Sequence, residues 1–160
     1  MKLSKTIYTL ITAMLIACIL TGCGSEAPES GGVRQTASAK QITDSGQEAV
    51  LTADLSGGYS VAFASGAAYF YKGEATGSND PVAFAYVIDR DAYDKEIEYL
   101  TNPDNDIEGE VRKLGDGVYS YDGTFFFPSE DGFCIKVAVQ SKGLADADTI
   151  YPRFSAEKPE

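Results

Sequence analysis

Residues 59–64, Tyr-Ser-Val-Ala-Phe-Ala, alternate large and small or polar positions, as do residues 67–72, Ala-Ala-Tyr-Phe-Tyr-Lys. Only Ser65 and Gly66 lie between the two runs, so they predict a β-hairpin with a two-residue turn. That turn length sets Ala64 against Ala67 and Phe63 against Ala68, with Tyr59, Val61, Phe63 and Phe70 on one face and Tyr69 and Tyr71 on the other. Residues 82–88 alternate again and predict a third strand, with Val82, Phe84, Tyr86 and Ile88 opposite Ala83, Ala85 and Val87.

From Asp91 to Leu100 the period changes. Tyr93, Ile97 and Leu100 are spaced by four and then three, which predicts a short amphipathic helix capped near Asp89 or Asp91 and stopped by Asn102-Pro103. Asp122-Gly123 is a preferred type I′ pair, and it joins 118–121 to 124–127 as a second hairpin. Val118, Ser120, Phe125 and Phe127 then share a face, and Tyr119, Tyr121 and Phe126 take the other. Around Cys134 the run 133–139 places Cys134, Lys136 and Ala138 opposite Phe133, Ile135, Val137 and Val139. Residues 107–114 predict a more exposed strand, and 146–154 a helical turn interrupted by Pro152.

About seven short strands with one or two short helices make the expected class mainly β with some α: an antiparallel sheet folded as a small sandwich or barrel. Gly57-Gly58-Tyr59 at the start of the series resembles the Gly-x-Trp opening of lipocalin-like domains, with Tyr in place of Trp. The resemblance implies a small-ligand carrier built on a closed barrel.

The N-terminus follows a different pattern. Lys2 and Lys5 precede an apolar stretch from Ile7 to Leu20, the layout of a secretory signal. At about 14 residues this stretch is shorter than the roughly 20 that a membrane-spanning helix needs. Its end, Leu20-Thr21-Gly22-Cys23, resembles the lipobox of bacterial lipoprotein precursors. That resemblance implies cleavage before Cys23, lipidation of its thiol, and an extracytoplasmic protein held on the cell membrane or outer membrane by lipid. Residues 1–22 are thus expected to be a signal peptide and 23–48 a flexible tether, poor in large apolar residues. Residues 49–157 are expected to form a single β-rich domain.

Composition narrows the chemistry. The chain of 160 residues has 13 basic and 24 acidic side chains, and loss of the leader removes two of the lysines. A nucleic-acid partner is excluded, since phosphate backbones are bound through clustered Lys and Arg. The chain contains no histidine, so Ser-His and Cys-His nucleophile pairs and His-ligated zinc are excluded as well. No phosphate-cradling glycine loop occurs, and no cofactor is expected. With Cys18 in the leader and Cys23 lipidated, Cys134 is left alone, a small buried thiol.

Two sites remain as candidates. In 102–110 the carboxylates Asp104, Asp106 and Glu108 alternate as in a calcium loop, offering the oxygens that hard cations favour. Gly115, however, stands where an EF-hand needs its bidentate Glu. Tyr69, Tyr71, Tyr119 and Tyr121 would form a continuous ligand-binding face if the two hairpins are neighbours, since tyrosine offers a flat apolar body with a polar tip. The expected function is a lipid-anchored, non-enzymatic binding module for an extracytoplasmic ligand or protein. The alternatives are a carboxylate-based hydrolase or enzyme accessory, a lipocalin-like carrier, and a structural envelope protein.

Overall fold

The computed structural model describes residues 35–76 and 78–160. The expected leader, Cys23 and the first part of the expected tether lie outside the described residues.

The described chain is a sandwich of two antiparallel sheets. In order, β1 is Thr36–Ile42, β2 Glu48–Asp54, β3 Tyr59–Ala64, β4 Ala67–Lys72 and β5 Ala83–Asp89; helix α1 is Arg90–Thr101. There follow β6 Arg112–Gly115, β7 Val118–Tyr121, β8 Thr124–Pro128 and β9 Phe133–Val139. A short helix α2, Ala147–Ile150, and a 3-10 turn through Pro152 lead to β10, Phe154–Glu157. The larger sheet has seven strands in the order β3-β4-β5-β9-β8-β7-β6, and the smaller has three in the order β1-β2-β10.

Six of the seven strands of the larger sheet coincide with segments whose alternation predicts them; the seventh, β6, takes only the end of the strand expected over 107–114, and residues 107–111 belong to the loop after α1. Both hairpins have the register their turns dictate, Ala64 opposite Ala67 and Tyr121 opposite Thr124. The turn residues Ser65 and Gly66, and Asp122 and Gly123, all have positive φ, between 45° and 74°. Such turns match the twist of the strands they join, which fixes register locally.

Three further features differ from expectation. Residues 36–42, inside the expected tether, form β1, so the folded part begins well before residue 49. β1 is a polar edge strand that relies on pairing with β2 more than on its own burial; Ser38 and Thr52 hydroxyls meet at 2.7 Å across the pair. The segment ending in Phe154 is a helical turn only as far as Arg153, after which β10 pairs with β2. And β3 and β6 are unjoined ends of the larger sheet, so it does not close into the barrel that the lipocalin-like resemblance implies.

The main core lies between the sheets. Ala49, Leu51 and Ala53 of β2 and Phe154 and Ala156 of β10 pack against Phe70, Ala83, Ala85, Phe125, Phe127, Ile135 and Val137 of the larger sheet. Small side chains on one sheet thus receive aromatic ones from the other, the complementarity that dense packing needs. A smaller core forms on the opposite face of the larger sheet, where α1 lays Tyr93 and Leu100 over Phe126 and Cys134. Asp89 occupies the N-cap position of α1 but makes no side-chain cap there. Its carboxylate instead accepts the Ser45 amide at 3.1 Å, joining the β1–β2 loop to the β5–α1 junction. Burial pushes that carboxyl up, yet the Thr43 and Ser45 hydroxyls and the Ser45 amide together hold it below the usual carboxylate value.

Candidate functional site

The outer face of the seven-stranded sheet carries every tyrosine singled out from the sequence. One cross-strand row runs Ala62, Tyr69, Phe84, Ala138, Thr124 and Tyr121. The next runs Tyr86, Lys136, Phe126, Tyr119 and Lys113. Tyr69 and Tyr71 therefore do share a face with Tyr119 and Tyr121, but the hairpins are not neighbours. Strands β5 and β9 separate them, and at about 4.8 Å per strand Tyr69 and Tyr121 stand roughly 19 Å apart.

The two ends of this face have different fates. At the β7 end, α1 and the loop that follows it cover the tyrosines: Ile97, Ile107, Val111, Tyr119 and Tyr121 all pack against the smaller core. Tyr121 donates its hydroxyl proton to the Glu108 carbonyl at 2.8 Å, and Tyr93 donates to the Gly117 carbonyl. Tyr119 and Tyr121 are thus half-buried packing residues. At the β4 end nothing among the described residues lies over the sheet in this way. Tyr69 meets Phe84 edge to face at 5.1 Å, and Tyr86 is 37% exposed. Phe84 and Tyr86, which the alternation of 82–88 places on this face, belong to the open site although the tyrosine pattern alone omits them.

Beside Tyr86 a groove of about 500 Å³ is floored by Tyr86, Ile88, Phe126 and Lys136 and walled by Ala92 and Glu96 of α1. Ile42, Asp44, Ser65 and Gly66 form its other rim. Lys136 lies with its Nζ 3.2 Å from Glu96 Oε1 and 5.0 Å from the centre of the Phe126 ring. A smaller hollow of about 260 Å³ lies beyond Phe84, lined by Asp80, Pro81, Gln140, Ser141 and Lys142. There Lys142 donates to Asp80 Oδ2 at 2.7 Å, and that hydrogen bond and charge hold the Asp80 carboxyl below its usual value.

The loop candidate for calcium is organised differently. Asp104, Asp106 and Glu108 are all exposed, and no group of three or more His, Cys, Asp or Glu side chains able to hold a metal occurs among the described residues. The loop folds through its own amides: the Asp104 amide donates to Asn102 Oδ1, and Asn105 Nδ2 donates to the Tyr99 carbonyl. What Glu108 contributes is its backbone carbonyl, which receives Tyr121. The segment acts as a flap over the β7 end of the sheet.

Cys134 is fully buried beneath α1, and burial pushes its thiol up to about 11. A protonated, covered thiol is a poor nucleophile. A thiol reagent at pH 8 is expected to leave Cys134 unmodified in the folded protein and to modify it after unfolding in urea, as read from the peptide that contains it; modification of Cys134 in the folded protein at a comparable rate would contradict this burial. Stability should also depend on this group. The unfolded thiol titrates near 9.0 and the folded one near 11, so its contribution is complete below the first value and is lost as pH rises through the second. Over that window the wild type should lose more stability than Cys134→Ala.

No helix among the described residues is long and apolar enough to cross a membrane. No protein-family model, no curated protein and no solved structure matches the chain.

Proposed function

We propose that this chain is a lipid-anchored protein of the cell envelope, and that its β sandwich is a non-enzymatic module that binds an extracytoplasmic ligand through the open half of its outer sheet face. The address rests on the leader, where Lys2, Lys5 and the apolar run to Leu20 precede Leu20-Thr21-Gly22-Cys23. Each methylene of a lipid buried in the bilayer contributes about 0.8 kcal/mol, and two chains hold a protein durably where one does not.

The observation that carries the binding reading is the unequal cover of one continuous sheet face. The helix and flap that pack over Tyr119 and Tyr121 leave Tyr86 exposed on the floor of a groove of about 500 Å³, with Tyr69 and Phe84 half-buried on the same face. Such a volume is within the range of small-ligand sites. The absence of histidine from the sequence removes the commonest general base, which favours binding over catalysis.

Two measurements test this. Cys23→Ala should move the protein from the membrane pellet to an unprocessed or released form, and unchanged fractionation would remove the anchor. A photo-crosslinking amino acid at position 86 should give adducts in intact cells, while the same residue at position 99, on exposed Tyr99 of α1, should not. Equal yields at the two positions would remove the binding face.

A further inference from the structure

We infer that the ligand of the open face is an uncharged glycan chain lying along β5, its sugar rings stacked on Phe84 and Tyr86 and its hydroxyls held by Lys–carboxylate pairs at the two ends. This rests on the reading of that face as a binding surface, and adds the chemistry of what it binds.

The first argument is charge. The chain has a formal net charge of −11, yet the strip made by Ala62, Tyr69, Phe84, Tyr86 and Ala138 has no ionic side chain. The charges at its ends are already paired, Asp80 with Lys142 beyond Phe84 and Glu96 with Lys136 beside Tyr86, while Asp44 stands at the groove's far rim. An anionic ligand finds no complementary net charge there, and the one uncompensated carboxylate, Asp44, lies across the groove from the strip rather than on it. A neutral one finds donors and acceptors without having to break into an unpaired charge.

The second argument is area. Tyr86 is 37% exposed and Tyr69, Tyr71 and Phe84 are less so. With aromatic side chains of about 150–250 Å², the four rings together offer at most roughly 350 Å². A stable protein interface needs about 800 Å² on each side. The strip is too slender for a second copy of this chain or a folded partner, and it suits a ligand one ring wide.

The third argument is geometry. Alternate residues of a strand lie about 6.6 Å apart on the same face, so Phe84 and Tyr86 present successive aromatic rings in a line. Phe84 is half-buried between Tyr69 on β4 and the small Ala138 on β9, and Tyr86, 37% exposed, stands beside Lys136. An aromatic face carries partial negative charge, which attracts the polarised C–H bonds on the flat side of a pyranose. Hydroxyls around the sugar's edge both donate and accept. Carboxylates of Asp80 and Glu96, ammonium groups of Lys142 and Lys136, and the polar side chains of Ser65, Gln140 and Ser141 sit at the ends of the strip to meet them.

The test is titration of the purified full chain with chitohexaose and with cellohexaose, both neutral and β-linked, followed by calorimetry and by tyrosine fluorescence, which no tryptophan masks. At least one of the two is expected to bind. Tyr86→Ala should weaken binding about tenfold or more, Tyr86→Phe should keep it, and Tyr99→Ala should leave it unchanged. No binding of either hexasaccharide, or equal binding by Tyr86→Ala, would overturn the glycan assignment. Crosslinking from position 86 then separates the two levels. Adducts that are proteins, together with no glycan binding, would sink the glycan and leave the binding face standing; no position-specific adduct and no glycan binding would sink both.

Discussion

Phe70→Ala is expected to lower the unfolding free energy by about 3–5 kcal/mol, the range for deleting a fully buried aromatic side chain. Phe70 has no exposed surface and sits at the junction of the two sheets. Its ring stacks on Tyr59 at 4.8 Å and meets Phe154 edge to face at 5.1 Å, so one side chain joins β3 and β4 of the larger sheet to β10 of the smaller. Across the sandwich, β2 lines the shared core with Ala49, Leu51 and Ala53, all fully buried and held in place by close packing. A cavity that its surroundings cannot fill is the costly kind. Against a total stability of about 5–15 kcal/mol for a domain of this kind, the change removes roughly a fifth or more. Urea unfolding followed by tyrosine fluorescence should show the midpoint falling steeply. Tyr86→Ala, on the opposite face and 37% exposed, should shift it by less than about 1 kcal/mol. Equal shifts for the two variants would mean that Phe70 does not join the sheets.

The contrast between Phe70 and Tyr86, one inward and one outward, follows from strand alternation and was legible in residues 59–72 and 82–88. So were both hairpin registers, because Ser65-Gly66 and Asp122-Gly123 impose them through positive φ at adjacent residues. Helix α1 announced itself through Tyr93, Ile97 and Leu100. The smaller sheet was hidden for three separate physical reasons. Thr36–Ile42 is polar because it is an edge strand, and composition alone makes it look like tether. Glu48–Asp54 does alternate, but its buried positions are Ala49, Leu51 and Ala53, and alanine is a weak strand former. Phe154–Glu157 is only four residues long and follows Pro152, which signals a break.

For the candidate site, the faces of Tyr69, Tyr71, Tyr119 and Tyr121 were readable and their neighbours were not. Pairing of β5 with β9 spans about fifty residues, set by packing between distant segments that no local pattern encodes. That pairing places two strands between the hairpins and divides one tyrosine face into a covered end and an open one. Cover by α1 is equally non-local: Tyr93 reaches the Gly117 carbonyl, and the 102–110 segment closes over Tyr121, roles for which acidic spacing gives no hint.

Gly143→Ala is the second substitution expected to be severe, at about 2–4 kcal/mol, although the backbone at this glycine is ordinary. Its φ of −99° suits any residue, so the cost is one of space. A Cβ there would stand 2.6 Å from the Val82 carbonyl oxygen, 3.0 Å from Val139 Cγ1 and 3.2 Å from Ile150 Cδ1. The oxygen is the least able of the three to move. It accepts the Gln140 amide at 2.8 Å, while the Val82 amide donates to the Phe70 carbonyl at 2.7 Å. Those bonds tie the turn after β9 to the start of β5 and to β4. Relieving the clash means lifting the 140–146 turn, which loosens the Gln140 bond and uncovers Ile150, only 1% exposed. Inserting atoms into such a packed place costs about 1–3 kcal/mol and sometimes more. Gly46→Ala separates space from strain. Gly46 has a φ of 85° and nothing within 4 Å of a Cβ, so alanine there meets only the penalty for a left-handed backbone, about 1–2 kcal/mol. In urea titrations Gly143→Ala should therefore lose more stability than Gly46→Ala, despite having the more permissive dihedral angle. The reverse order would show that the Val82 carbonyl yields readily, and that the turn at 140–146 is not held against the sheet as these contacts require.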